Sequence, residues 1–314
     1  MFNRRFLRIK VFQALYAFSQ DEKANRSTYE RNLLTSLNKT YDLYIFLLAF
    51  PVEFKFYLLN EFEIQTLKHF PDSSVITPIK TLLKNKAIVQ LDRSDLLKEK
   101  LSDVSEQWKG ANDVFKSILN QIKESELMSE YMRSPDHTFA EDRKFLNEIF
   151  EIIIADSEPF NQYIEERFIN WEDDQVLVTI SLLKSIHSIK ENGGNGFIGK
   201  FDMKEEEDLD FMKKLFRYTI DNNDEMLKLI ADKTKNWDAE RIALVDMQMM
   251  KMALCEIMMF PQIPVKVSIN EYLELAKIYS TPNSHTFING VLDKIHIDLK
   301  NENKINKAGR GLVE

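Results

Sequence analysis

Apolar residues recur at helical spacing from one end of this 314-residue chain to the other, which confines it to helices packed on helices. Near the start, Leu7, Val11, Ala14, Leu15 and Phe18 share one face of a segment spanning 4–18. Near the end, Ile242, Val245, Met249, Met252, Ala253 and Ile257 do the same over 236–260. Gly and Pro number only eight each, too few for the tight turns of a β-sandwich or barrel. An all-α protein of one large or two ordinary domains is expected.

Charge is distributed unevenly. The net charge is −8, which argues against a surface that grips nucleic acid everywhere. The excess of carboxylates lies between residues 41 and 205. Arg4, Arg5, Arg8 and Lys10 have no acidic neighbour before Asp21, and 294–310 holds five basic residues against two acidic. Local basic surface is therefore expected at both ends. Arg8, Lys10 and Gln13 interrupt any apolar leader, and no apolar stretch approaches the roughly 20 residues of a membrane helix. The lone Cys255 cannot form an intramolecular disulfide. A cytoplasmic protein without a membrane span is the expectation.

No active site is legible. Five scattered histidines lack metal-ligand spacing, nucleophile elbows are missing, and Glu205-Glu-Glu-Asp208 reads as a solvated helix start. Residues 194–199 match G-x-G-x-x-G, but the segment follows a helical pattern rather than a strand and reads as a linker. No catalytic residue, cofactor or metal is assigned, and binding or assembly is favoured over catalysis.

Pro51, Pro71 and Pro78 punctuate a succession of helices over 28–132, and the aromatic-rich stretch from Phe46 reads as core. Ser134-Pro-Asp-His-Thr138 marks a boundary. Beyond it, 142–188 resembles 208–254: Asp142, Phe145, Phe150, Ile154 and Ile164 align with Asp208, Phe211, Phe216, Ile220 and Ile230 at an offset of 66, and Asn170-Trp171 falls on Asn236-Trp237. Two copies of a helix-pair unit are inferred.

On the first helical segment, Arg5, Arg8, Phe12 and Tyr16 fall in a stripe beside Arg4. Guanidinium groups pair with phosphates and aromatic rings stack on unpaired bases, a combination suited to single-stranded RNA. Spacing alone favours core aromatics beside solvated arginines. The C-terminal part is more specific. Pro261 and Pro264 end one helix; the next begins at Val265, with Ser268 and Glu271 in capping-box spacing. Thr281, Asn283 or Ser284 can cap a last helix, in which Gly290 is costly unless a backbone packs closely against it.

The order Ala253-Leu-x-Glu256, Ile263-Pro-x-Lys-Val-x-Ile-Asn-Glu271, Leu275-Ala-Lys277 and Ser284-His-x-Phe-x-Asn-Gly-Val-Leu-Asp293 resembles the NusB family of transcription antitermination factors. Arg4-Arg5-x-x-Arg8 followed by Gln13-Ala-Leu-Tyr16 resembles that family's first helix. The resemblance implies a non-enzymatic all-α bundle of two subdomains, formed here by 1–40 and 206–300, enlarged by an acidic insertion over 41–205 and followed by a tail over 301–314. It implies pairing with NusE, a small-subunit ribosomal protein, binding of boxA-type RNA and work within the RNA polymerase antitermination complex, with homodimers known in the family. By resemblance Arg4, Arg5, Arg8, Tyr16, Asn283, Ser284 and Phe287 face RNA, and Glu240 and Asp246 face the partner. Phe6, Thr286 and Lys251 stand where the family often has basic residues or arginine, which keeps open a protein-only scaffold that has lost RNA binding. A third reading, an RNA methyltransferase with an N-terminal NusB-like part, lacks a methyl-donor domain after residue 300.

Overall fold

The computed structural model describes residues 4–194, 196–199, 206–234 and 242–308. Fifteen α-helices, and no strand, occur among these residues, as an all-α NusB-like fold requires. None of the described helices is long and apolar enough to cross a membrane. Contacts divide the chain into two compact units, one within Asn38–Phe201, the other joining residues up to Leu37 with those after Asp202. The long helix α2 (Arg26–Thr66) contributes to both.

The first unit also contains α3 (Ser73–Leu83), α4 (Lys86–Asp92), α5 (Asp95–Val104), α6 (Asn112–Glu124), α7 (Glu126–Tyr131), α8 (Phe139–Asp156), α9 (Glu158–Glu165) and α10 (Trp171–His187). Over Leu43–Phe50 every side chain of α2 is buried, so this stretch is core on all sides. Phe46 stacks on Trp108 at 4.1 Å, and Phe50 packs edge-on against Phe150 and Phe160. Pro51 does not end the helix. Its missing N–H forfeits one helical bond, but the residue is buried in the same core, and packing outweighs the local cost. Pro78 likewise lies inside α3.

The break at 134–138 is a turn within this unit, not a boundary between units. Thr138 caps α8 in a complete capping box with Glu141. The glycine loop is anchored too: Phe197 and Ile198 are buried, and the Gly199 N–H donates to the Tyr44 hydroxyl at 2.9 Å.

The second unit contains α1 (Arg4–Gln20), α11 (Glu206–Asp221), α12 (Asn223–Lys233), α13 (Leu244–Met259), α14 (Val265–Tyr279) and α15 (Ser284–Asn301). Helix α13 is buried on nearly every side and packs against α11, α12, α14, α15 and α1. The order long, short, long is common to α8–α10, with 18, 8 and 17 residues, and to α11–α13, with 16, 11 and 16. Asn236 and Trp237 lie outside the described residues.

Candidate nucleic-acid interface

Helix α1 departs from a simple amphipathic pattern: every residue from Phe6 to Phe12 is buried, Arg8 and Lys10 included. A buried guanidinium must be matched by a buried anion or it loses its hydration uncompensated. The match is Glu256, which accepts from Arg8 Nε at 2.8 Å and Nη2 at 2.7 Å. The same carboxylate accepts the Ser268 hydroxyl at 2.7 Å and the Tyr272 hydroxyl at 3.1 Å, so both oxygens are doubly satisfied. Burial and the charge of Glu256 push the Tyr272 phenol well above its ordinary pKa. Ser268 therefore does not cap α14. The helix begins one turn earlier after Pro264, and the Ser268 hydroxyl is drawn into the interior by Glu256.

Glu271, the other half of the supposed capping box, serves the arginines. It accepts Arg5 Nε at 2.8 Å and Nη2 at 2.9 Å and lies 3.8 Å from Arg8 Nη1. Arg4 reaches Asp208 at 3.4 Å, and the guanidiniums of Arg4 and Arg8 each lie 5.3 Å from the Phe211 ring centroid. Arg4 and Arg5 remain partly open to solvent, whereas Arg8 does not. Of the aromatic pair, Phe12 is core and Tyr16 is exposed. Phe12 lies 6.3 Å from Tyr16 and 5.3 Å from Tyr279, linking α1 to the end of α14.

Beyond Tyr279 the chain turns through Ser280 and Thr281 into α15. Asp246 is buried here, accepting the Ser280 hydroxyl at 2.5 Å and the Ser284 hydroxyl at 2.8 Å. Asp246 and Ser284 thus hold the turn together, largely buried at the floor of the cleft beside it. Asn283 precedes α15 without a side-chain cap bond. A cleft of about 740 Å³ opens beside this turn, lined by Asn283, Phe287, Gly290, Lys233 and Lys294 among others. Among the described residues no backbone packs against Gly290. A Cβ there would meet open space, so the glycine widens the cleft rather than admitting a neighbouring helix. Lys233 pairs with Asp298, while Lys294 is exposed. Glu240 lies outside the described residues.

Glu256, Glu271, Tyr272 and Phe211 complete this arrangement without having been singled out as site residues. A usable signal exists: Arg8 and Glu256 are opposite charges set among mostly apolar helical residues, and a charge buried in a core needs such a partner. Among the described residues no cluster of His, Cys, Asp or Glu is arranged to hold a metal ion.

Comparison with known proteins adds identity to this geometry. The NusB family model matches residues 175–296, from inside α10 to the middle of α15. The transcription antitermination protein NusB of Salinibacter ruber is 44% identical over 104 residues, which is 33% of this chain and 65% of the relative. That of Chloroherpeton thalassium is 39% identical over 105 residues, covering 33% of this chain and 50% of the relative. That of Desulfatibacillum aliphaticivorans is 39% identical over 97 residues, covering 31% and 68%. The chain thus spans half to about two thirds of the length of these curated relatives. No solved structure matches it. With a matching family model and relatives of this identity, the chain belongs to the NusB family.

Proposed function

We propose that this chain is an RNA-binding transcription antitermination factor which, with NusE, binds boxA-type sequences in nascent RNA and promotes transcription of ribosomal RNA operons by RNA polymerase. The observation that carries the reading is the pairing, within one unit, of exposed Arg5 and Tyr16 on α1 with the Asn283 and Phe287 cleft at the start of α15. Arg4 and Arg5 would meet phosphates, and Tyr16 and Phe287 would stack on unpaired bases. Arg8, Ser284 and Asp246 act beneath the surface in this reading: Arg8 fixes α1 and the shared Glu271, while the other two fix the turn into α15. Glu240 is retained as the partner-facing acid. The protein acts without catalysis, in the cytoplasm.

We further read 142–188 and 208–254 as copies of one helical unit. The aligned pairs Phe145 and Phe211, Phe150 and Phe216, and Ile164 and Ile230 are buried in both, which supports that reading.

In vitro transcription across a terminator downstream of a boxA sequence tests the role. Added chain and NusE should raise read-through, and Arg5→Ala should reduce the gain. No gain with wild-type protein would reject it. The second reading, a protein-only scaffold, draws on Phe6, buried where relatives often carry arginine, and on the carboxylates already engaging Arg4 and Arg5. It predicts NusE association without RNA binding.

A further inference from the structure

A separate polar cleft lies in the first unit, where α3, the start of α4 and the turn between α7 and α8 meet around about 530 Å³. Its walls carry Lys80 in the last turn of α3, Lys84 at the C-cap of that helix, and Lys86 at the first position of α4. These lysines come from a stretch, residues 73–91, that contains no Asp or Glu although the surrounding region is rich in both. Lys80 and Lys84 are exposed and form no ion pair among the described residues. Like charges gathered on one concave surface repel one another unless an anion sits between them.

The two carboxylates of the cleft do not cancel this charge. Asp142 is buried and turned into the wall, where it accepts the Tyr131 hydroxyl and the Lys86 backbone N–H, the latter at 2.8 Å. Asp136 is the exposed acid of the lining, and nearby Glu141, which feels the Lys86 charge, has its carboxylate engaged by the Thr138 N–H and hydroxyl at the start of α8. The wall is also pre-arranged. His137 stacks on Tyr131 at 3.8 Å, Tyr131 on Phe145 at 3.7 Å, and the Lys86 ammonium is held by the His137 carbonyl at 2.5 Å. A cation-lined cavity of this size falls within the range of small-ligand sites.

We propose that this cleft binds a small phosphate-bearing molecule of mononucleotide size. The acidic surroundings select against an extended polyanion, which must cross repulsive surface on either side. A compact phosphate ester placed inside the cleft meets three lysines with Asp136 as the exposed acid of the lining. This site is independent of the RNA-facing surface assigned to the second unit.

Isothermal titration of the full chain with inorganic phosphate, pyrophosphate, AMP, ATP and adenosine, at low and moderate salt, tests the assignment. The phosphorylated probes should bind at least about tenfold more tightly than adenosine and weaken with salt. The double variant Lys80→Gln/Lys84→Gln, which alters exposed side chains and should keep the wild-type circular dichroism, should lose at least about tenfold in affinity. Lys116→Gln, an exposed lysine of the same unit outside the cleft, should lose none. No binding of any phosphorylated probe, or binding indifferent to the double variant, would overturn the proposal. So would a single-stranded RNA oligomer whose affinity depends on Lys80 and Lys84 while the mononucleotides fail to bind, since that pattern assigns the cleft to a polynucleotide.

Discussion

The guanidinium of Arg8 and the carboxylate of Glu256 form a two-bond ion pair with side-chain exposures of only 3% and 0%. Arg8→Ala leaves a buried carboxylate without its counter-charge and should destabilise the second unit by about 3–5 kcal/mol. Adding Glu256→Leu to that variant should recover part of the loss, because the stranded charge is then gone while Ser268 and Tyr272 lose their acceptor. Urea denaturation of the two variants and wild type checks both statements. Equal stability of wild type and Arg8→Ala would contradict this account of α1.

Arg5 gives the opposite expectation. Its side chain is 42% exposed, so the pair with Glu271 contributes no more than about 1 kcal/mol. Arg5→Ala should therefore melt close to wild type while RNA affinity falls. Thermal denaturation beside an RNA titration separates this effect from that of Arg8.

The elements most legible in the sequence are those whose local chemistry and packing agree. The amphipathic run at 4–18 and the residues after Pro264 gave helices close to the observed α1 and α14. Sequence spacing failed where a tertiary partner overrides a local rule. Ser268 and Glu271 have capping-box spacing, yet their partners are Glu256 and Arg5 from distant helices. Pro51 looks like a helix end, yet the surrounding aromatic core carries α2 through it. The Arg and aromatic stripe was half legible: Arg5 and Tyr16 are exposed, but Arg8 and Phe12 belong to the interior, a division that periodicity on one helix cannot reveal without its neighbours.

Acid should loosen the link between α11 and the N-terminal part of α2. Arg217 donates two hydrogen bonds to Glu30, at 2.9 and 2.6 Å, and these lower the Glu30 pKa from its ordinary 4.5 against the opposing effect of burial. A depressed carboxyl pKa gives stability that is fully present above the unfolded value and is lost as pH falls through the folded one. Carboxyl NMR should place the Glu30 titration below 4.5 in wild type and return it toward that value in Arg217→Ala. Identical titrations in the two proteins would contradict the link.

Cys255 should be silent in the native chain. Burial pushes its thiol up to about 12, and its sulfur sits 3.6 Å from the Tyr218 carbonyl. Little thiolate forms at pH 8, so alkylation should proceed only through opening of the helices around α13. Iodoacetamide labelling followed by mass measurement should show slow modification in buffer and rapid modification in denaturant. Rapid labelling in buffer would mean that α13 is not enclosed as described.

Tyr16 and Phe287 should matter to RNA more than to folding. Each stacked base is worth about 1–3 kcal/mol, so Tyr16→Ala and Phe287→Ala should each weaken RNA binding by roughly five- to a hundredfold. A crosslinking experiment with a photoreactive uridine in the boxA RNA should trap both residues in wild type.

The most direct test of the central claim is an equilibrium titration of labelled boxA-type RNA with the chain, alone and with NusE, across a salt series. Binding that NusE strengthens and salt weakens, with a slope shallower by about one in Arg5→Ala, is the predicted result. Absence of RNA binding under both conditions, with NusE association intact, would contradict the claim and leave the protein-only scaffold.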